Sequence, residues 1–174
     1  IIFCSLNKDT AMKSKKQLTI FGILIALLFL IGNLNMEAAT KTAAATGNWG
    51  AAATWSPSGV PTANDDVVIG AYTVSLNGDY ECKSLTMNNA ASILAPLTQA
   101  SATYYTLTVH GNITMSDAGS FIDQNVGSAY LNITIDRPST VTTAATADNA
   151  AAGLNVYNLN VSGAVTRSGA HQVW

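Results

Sequence analysis

The chain has 174 residues, 48% hydrophobic and only 10% charged, with a formal net charge of −2. So few cations, none of them clustered after Lys16, leave no electrostatic footprint for nucleic acid. Two cysteines, Cys4 and Cys82, cannot build the disulfide framework of a small secreted scaffold, so stability must come from burial and backbone pairing.

Residues 1–11 precede a Met-Lys-Ser-Lys-Lys stretch and are expected to be read-through upstream of an initiator at Met12. Residues 12–45 have the layout of a signal peptide. Three lysines stand ahead of an apolar run from Leu18 to Ile31, and small residues follow at Ala38–Ala45. A run of this length suits an h-region, whereas a spanning helix needs about 20 apolar residues. Cleavage is expected between Ala38 and Ala45, with A-x-A at Ala43 to Ala45 the cleanest match. An uncleaved anchor is the alternative and would be the chain's only membrane contact. The exported product is mildly acidic, with Lys41, Lys83, Arg137 and Arg167 set against eight Asp and Glu residues.

Residues 46–70 carry Trp49, Trp55, Pro61 and the Asp65-Asp66 pair ahead of a Val-Val-Ile run. Tryptophans beside carboxylates suit a sugar site, since aromatic faces pack on pyranose rings. The same residues also suit a terminal cap that covers open ladder ends, and the cap is the preferred reading.

From residue 67 to 174 short alternating runs recur, each bounded by Gly, Asn, Asp or Pro, which predicts an all-β chain. Aligned on their leading leucines they fall at Leu85, Leu107, Leu131 and Leu154, a spacing of roughly 23 residues that indicates stacked repeats. LTVHGNIT from Leu107 and LNVSGAVT from Leu159 share the form L-x-V-x-G-x-[IV]-T. A right-handed parallel β-helix follows, with Leu85, Leu107, Val109, Leu131, Ile133, Leu154, Val156, Leu159 and Val161 as its inward core. The alternative is an antiparallel β-sandwich, for which Asn77-Gly78 would serve as a hairpin turn. Residues 143–153 read as an excursion loop.

The opening block Gly47-Asn48-Trp49 with Thr54-Trp55, then Val60-Pro61, Asp65, Val67 and Ile69, then Leu107-Thr108-Val109 and Gly111-Asn112-Ile113-Thr114, resembles the N-terminal region of large secreted proteins of the Bacteroidetes group. The resemblance implies a β-helix of the pectin-lyase-like type. It also implies a place in an adhesin, a surface-layer-like protein or a carbohydrate-active enzyme, often with a sorting domain for type IX secretion.

No catalytic constellation is expected. A β-helix lyase or hydrolase needs carboxylates on one outward strip with a basic group beside them, and Asp117, Asp136 and Asp148 fall at different phases of the leucine repeat. His110 has no carboxylate at ligand spacing, and Cys82 reads as a small buried hydrophobe. Asp65 and Asp66 are weak candidates for a calcium site, with turn chemistry preferred. Asn112, Asn132 and Asn160 stand in N-x-[ST] sequons, read as stacked ladder residues. The tyrosines, scattered along the chain, read mostly as core edges. No cofactor is expected.

The resulting expectation is a non-catalytic structural or adhesive segment of a larger exported bacterial surface protein, meeting extracellular glycans or cell-surface components. The alternatives are the first coils of a β-helix carbohydrate-active enzyme with its site beyond residue 174, and a carbohydrate-binding module.

Overall fold

The computed structural model describes residues 38–123, 125–144, 153–168 and 171–173. The expected read-through, the expected signal-peptide run and most of the expected excursion loop lie outside the described residues. The described chain is built from strands in a strict order, with one 3-10 turn and no α-helix. An opening section holds β1 (Thr40–Ala43), β2 (Gly47–Asn48) and β3 (Trp55–Ser56). Four three-strand coils follow. They are β4 (Asp66–Ile69), β5 (Thr73–Leu76) and β6 (Tyr80–Cys82); β7 (Ser84–Met87), β8 (Ile93–Pro96) and β9 (Gln99–Val109); β10 (Ile113–Met115), β11 (Phe121–Ile122) and β12 (Asn125–Ile135); then β13 (Ser139–Thr143), β14 (Gly153–Val156) and β15 (Asn158–Val161). Last come β16 (Val165–Ser168) and β17 (His171–Val173).

Successive strands join three different sheets in turn, and each pairs in parallel with its equivalent one coil away. Sheet A runs β3-β1-β4-β7-β10-β13-β16, sheet B runs β2-β5-β8-β11-β14-β17, and sheet C runs β6-β9-β12-β15. This is a parallel β-solenoid, and the sandwich alternative falls with it. Asn77-Gly78 is no hairpin: β5 belongs to sheet B and β6 to sheet C, so the turn is a corner between faces.

One side of every strand points inward, because side chains alternate along a strand. Val67, Leu85, Ile113 and Val141 stack in sheet A; Cys82, Val109 and Ile135 stack in sheet C; Val74, Leu94 and Ile122 stack in sheet B. All are at most 1% exposed. Each such aliphatic side chain contributes about 1.5–3 kcal/mol by leaving water, and no coil could bury its inner face alone.

The repeat differs from the leucine alignment. Leu85 lies in sheet A, Leu107 and Leu131 in sheet C, and Leu154 in sheet B. Leu107 pairs with Ile133 and Ile133 with Leu159, so the sheet C repeat is longer than the leucine spacing suggests. Leu131 pairs with Tyr105 and not with Leu107. In sheet A, Val67 pairs with Leu85 and Leu85 with Ile113, the second step being much the longer. Coil length varies because the corners hold different numbers of residues, so the evenly spaced repeat of the leucine alignment does not exist.

Leu85, Leu107, Val109, Leu131, Ile133 and Val156 are fully buried. Leu154 lies in β14, its side chain outside the described residues. Leu159 is half-buried against the core, and Val161, expected inside, is 45% exposed. Both sit on β15, the outer strand of sheet C, so no further described strand covers them.

The L-x-V-x-G-x-[IV]-T motif is one passage from sheet C through a corner into sheet A. Its glycine is required by close approach: a Cβ at Gly111 would lie 2.7 Å from the Lys83 carbonyl oxygen, and one at Gly163 would collide with the Arg137–Pro138 backbone.

The first rung starts earlier than residue 67. β1 pairs in parallel with β4, and β2 with β5, so residues 40–48 already belong to the ladders, and the section from Trp49 to Asp65 is an insertion between rungs. Within it, β3 turns back antiparallel on β1 through Thr42–Ser56 and Ala43–Trp55. This covers the edge strand of sheet A, an edge that would otherwise be open to pairing with other chains.

Candidate functional site

Where sheet C turns into sheet A, the corners of successive coils lie one above another. Cys82, Val109 and Ile135 are register partners, which places the residues that follow them, Lys83, His110 and Asp136, in one outward stack. The parallel ladder thus gathers charges that are far apart in sequence. His110, its side chain 10% exposed, has Nδ1 2.9 Å from both oxygens of Asp136 and Nε2 3.2 Å from Glu81 Oε2. Lys83 Nζ donates to Asp66 Oδ2 at 2.8 Å, and the Ser84 hydroxyl donates to Asp66 Oδ1 at 2.5 Å. Lys83 first, then the Ser84 hydroxyl, hold the Asp66 carboxyl below the usual carboxylate range. Asp66, Lys83, His110, Asn112 and Arg137 line a groove of about 380 Å³ here.

This overturns two expectations. His110 does have carboxylate neighbours, supplied from 26 and 29 positions away by adjacent coils. Asp136 and Arg137 do share a strip with other ionisable groups. A repeat counted from the sheet C positions instead of the leucines would have brought Glu81, His110 and Asp136 together.

The chemistry this corner supports is limited by its pairing. Both His110 nitrogens lie within hydrogen-bond distance of carboxylates, so the imidazole bridges Glu81 and Asp136. Lys83 is likewise taken up by Asp66. The corner is a polar clamp across successive coils.

Asp65 and Asp66, the weak calcium candidates, use their oxygens on the protein. Asp65, 5% exposed, accepts the Ala39 N–H at 3.0 Å on Oδ1, and the Thr62 N–H and hydroxyl at 2.8 Å on Oδ2. Burial pushes its carboxyl up, but these donors and Lys41 outweigh it and bring it below the usual range. Among the described residues no group of three His, Cys, Asp or Glu is arranged to hold a metal ion. Cys82 is fully buried, and burial, with Asp66 beside it, pushes its thiol far above the usual range.

Trp49 and Trp55 are 0% and 2% exposed. Their rings meet edge to face at 5.0 Å, the Trp55 indole N–H donates to the Trp49 carbonyl at 2.8 Å, and Trp49 stacks on Tyr80. Both belong to the core cluster that includes Val67 and Ile69. Pro61 is buried beside the Asp65 turn. Neither indole face is available to a sugar.

Three of the six tyrosines are gathered in space, while Tyr80 and Tyr105 pack against the core as expected. β9 and β12 are 11 residues long where β6 and β15 have 3 and 4. Their first halves therefore extend past the neighbouring coils as a two-strand wing. Tyr104 on β9, Tyr130 on β12 and Tyr157 beside β15 form a three-way cluster with ring centroids 5.0, 4.9 and 5.6 Å apart. Tyr104 is 52% exposed. No charged residue occurs from Leu97 to Val109 or from Gln124 to Ile135. The sequence signal was present in the aligned Tyr-Tyr and Ala-Tyr-Leu positions, but it shows only once β9 and β12 are registered.

Outward polar residues also stack: Asn158 Nδ2 donates to Asn132 Oδ1 at 3.1 Å, and Asn112 Oδ1 accepts the Thr140 N–H at 2.8 Å. Asn112 and Asn132, both sequon asparagines, are thus ladder residues.

Comparison of the chain with protein-family models, with curated proteins and with solved structures finds no match.

Proposed function

We propose that the chain is an exported, non-catalytic β-solenoid segment of a bacterial cell-surface or secreted protein, acting as a stalk that carries an adhesive face. The observation that carries this reading is the occupancy of the polar corner. Glu81, Asp66, Lys83, His110 and Asp136 are each engaged by a neighbouring group. The signal-peptide layout and the resemblance to secreted Bacteroidetes proteins support export. The uncharged wing with its tyrosine cluster supports a contact face for neutral partners such as glycans, since tyrosine combines an apolar ring with a polar tip.

The experiment is a polysaccharide panel assayed for both binding and turnover. Retention on neutral glycans, lost in the double variant Tyr104→Ala/Tyr130→Ala, with no release of reducing ends or unsaturated uronates, is the expected result. Turnover abolished by His110→Ala would defeat the proposal and favour the carbohydrate-active enzyme, the reading to which the groove beside Lys83 and Arg137 lends itself.

A further inference from the structure

The A-x-A triplet at Ala43–Ala45 is the best export-peptidase match in the sequence, yet it starts at the last residue of β1, with Ala44 and Ala45 exposed just after it. Ala43 is 4% exposed and registers with Trp55. Lys41 Nζ donates to the Pro57 and Ser58 carbonyls at 3.1 and 3.2 Å, and the Ala44 N–H donates to the Thr54 carbonyl at 2.8 Å. Thr40, Lys41 and Thr42 pair with Asp66, Val67 and Val68. A cut after Ala45 would remove β1 whole. Sheet A would lose the strand between β3 and β4, and the inner faces of Trp55 and Val67 would open to water.

Among the described residues, Ala39 makes the first hydrogen bonds to the ladder. Its carbonyl accepts the Asp66 N–H at 2.9 Å and its N–H donates to the buried Asp65 carboxylate at 3.0 Å. Ala38, just outside, is exposed and small, as the residue on the leaving side of a peptidase cut should be. We infer that export processing hydrolyses the Ala38–Ala39 bond, so that the new amino terminus of Ala39 stands against the Asp65 carboxylate. Water is the co-reactant. Ala38 departs with the carboxylate, and Ala39 gains an amine that is protonated at neutral pH and converts an amide hydrogen bond into an ion pair. The inference rests on the export reading above.

The test is amino-terminal sequencing of the full chain secreted from a bacterial host, with Ala38→Asp and Ala45→Asp made in parallel. A mature chain starting at Ala39, blocked by Ala38→Asp and unchanged by Ala45→Asp, is expected. A start at any other residue beyond the apolar run overturns the inference and leaves export standing. Retention of the Leu18–Ile31 run overturns export itself, and the inference with it. Two leaderless chains provide a second arm. The chain starting at Ala39 should unfold cooperatively, and the chain starting at Thr46 should melt at least about 10 °C lower. Equal melting temperatures would show that β1 is dispensable and sink the inference.

Discussion

His110 Nδ1 lies 2.9 Å from the carboxylate of Asp136, a residue 26 positions later and one coil away. The relationship is made by the ladder: parallel pairing at constant register turns a separation of one coil into direct contact. Glu81 closes the other side at 3.2 Å. Because Glu81 and Asp136 are 58% and 36% exposed, solvent screens the clamp. His110→Ala is therefore expected to cost about 1 kcal/mol at most. Denaturant titrations at low and high salt check this, and a loss that does not shrink with salt would point to packing instead of charge.

Acid should find the Asp65 turn. The Asp65 carboxyl is lower in the folded chain than in the unfolded one, so the folded state binds fewer protons. The stabilisation is complete above the unfolded value, about 3.9, and drains away as the pH falls through the folded value. Asp65→Asn should flatten that acid limb. At neutral pH it should cost about 1–3 kcal/mol, because an amide cannot satisfy every N–H and O–H donor now aimed at the carboxylate. Unfolding curves at neutral and acid pH test both parts, and an unchanged acid limb would mean that other carboxylates dominate.

Gly111 should not tolerate a side chain. The 2.7 Å approach of a Cβ to the Lys83 carbonyl oxygen involves backbone, which cannot swing aside. Gly111→Ala is expected to destabilise by about 1–3 kcal/mol through overpacking. A melting temperature equal to that of the parent would show that the corner can relax.

The Cys82 thiol should be inert in the native protein. It is fully buried and its pKa is raised by burial, and the thiolate is the reactive form. Labelling by a thiol reagent should follow global unfolding as denaturant is added. Fast labelling in water would reveal local opening of β6.

The all-β class, the inward alternation and the stacked architecture were legible because they depend on local pattern. Apolar residues at every second position, interrupted by Gly and Asn, suit a strand that buries one side and wets the other. Leu107, Val109, Leu131 and Ile133 could be assigned to the interior from alternation alone. The repeat length could not. Leu85, Leu107 and Leu154 open similar runs but stand on three different faces, and nothing in a leucine distinguishes one face from another.

Corner length is where the chain's own pattern stops being informative. Between β5 and β6 the corner spans only Asn77 to Asp79, while β9 and β12 overrun it by half a strand. That difference creates the wing, brings Tyr104, Tyr130 and Tyr157 together, and sets which charges meet at His110. Alternation is dictated by each strand's own residues, through the pleat. The register between coils is dictated by how many residues each corner absorbs, a property of neighbouring coils packed together. The polar clamp, the tyrosine cluster and the pairing of β1 therefore exist only in the assembled ladder.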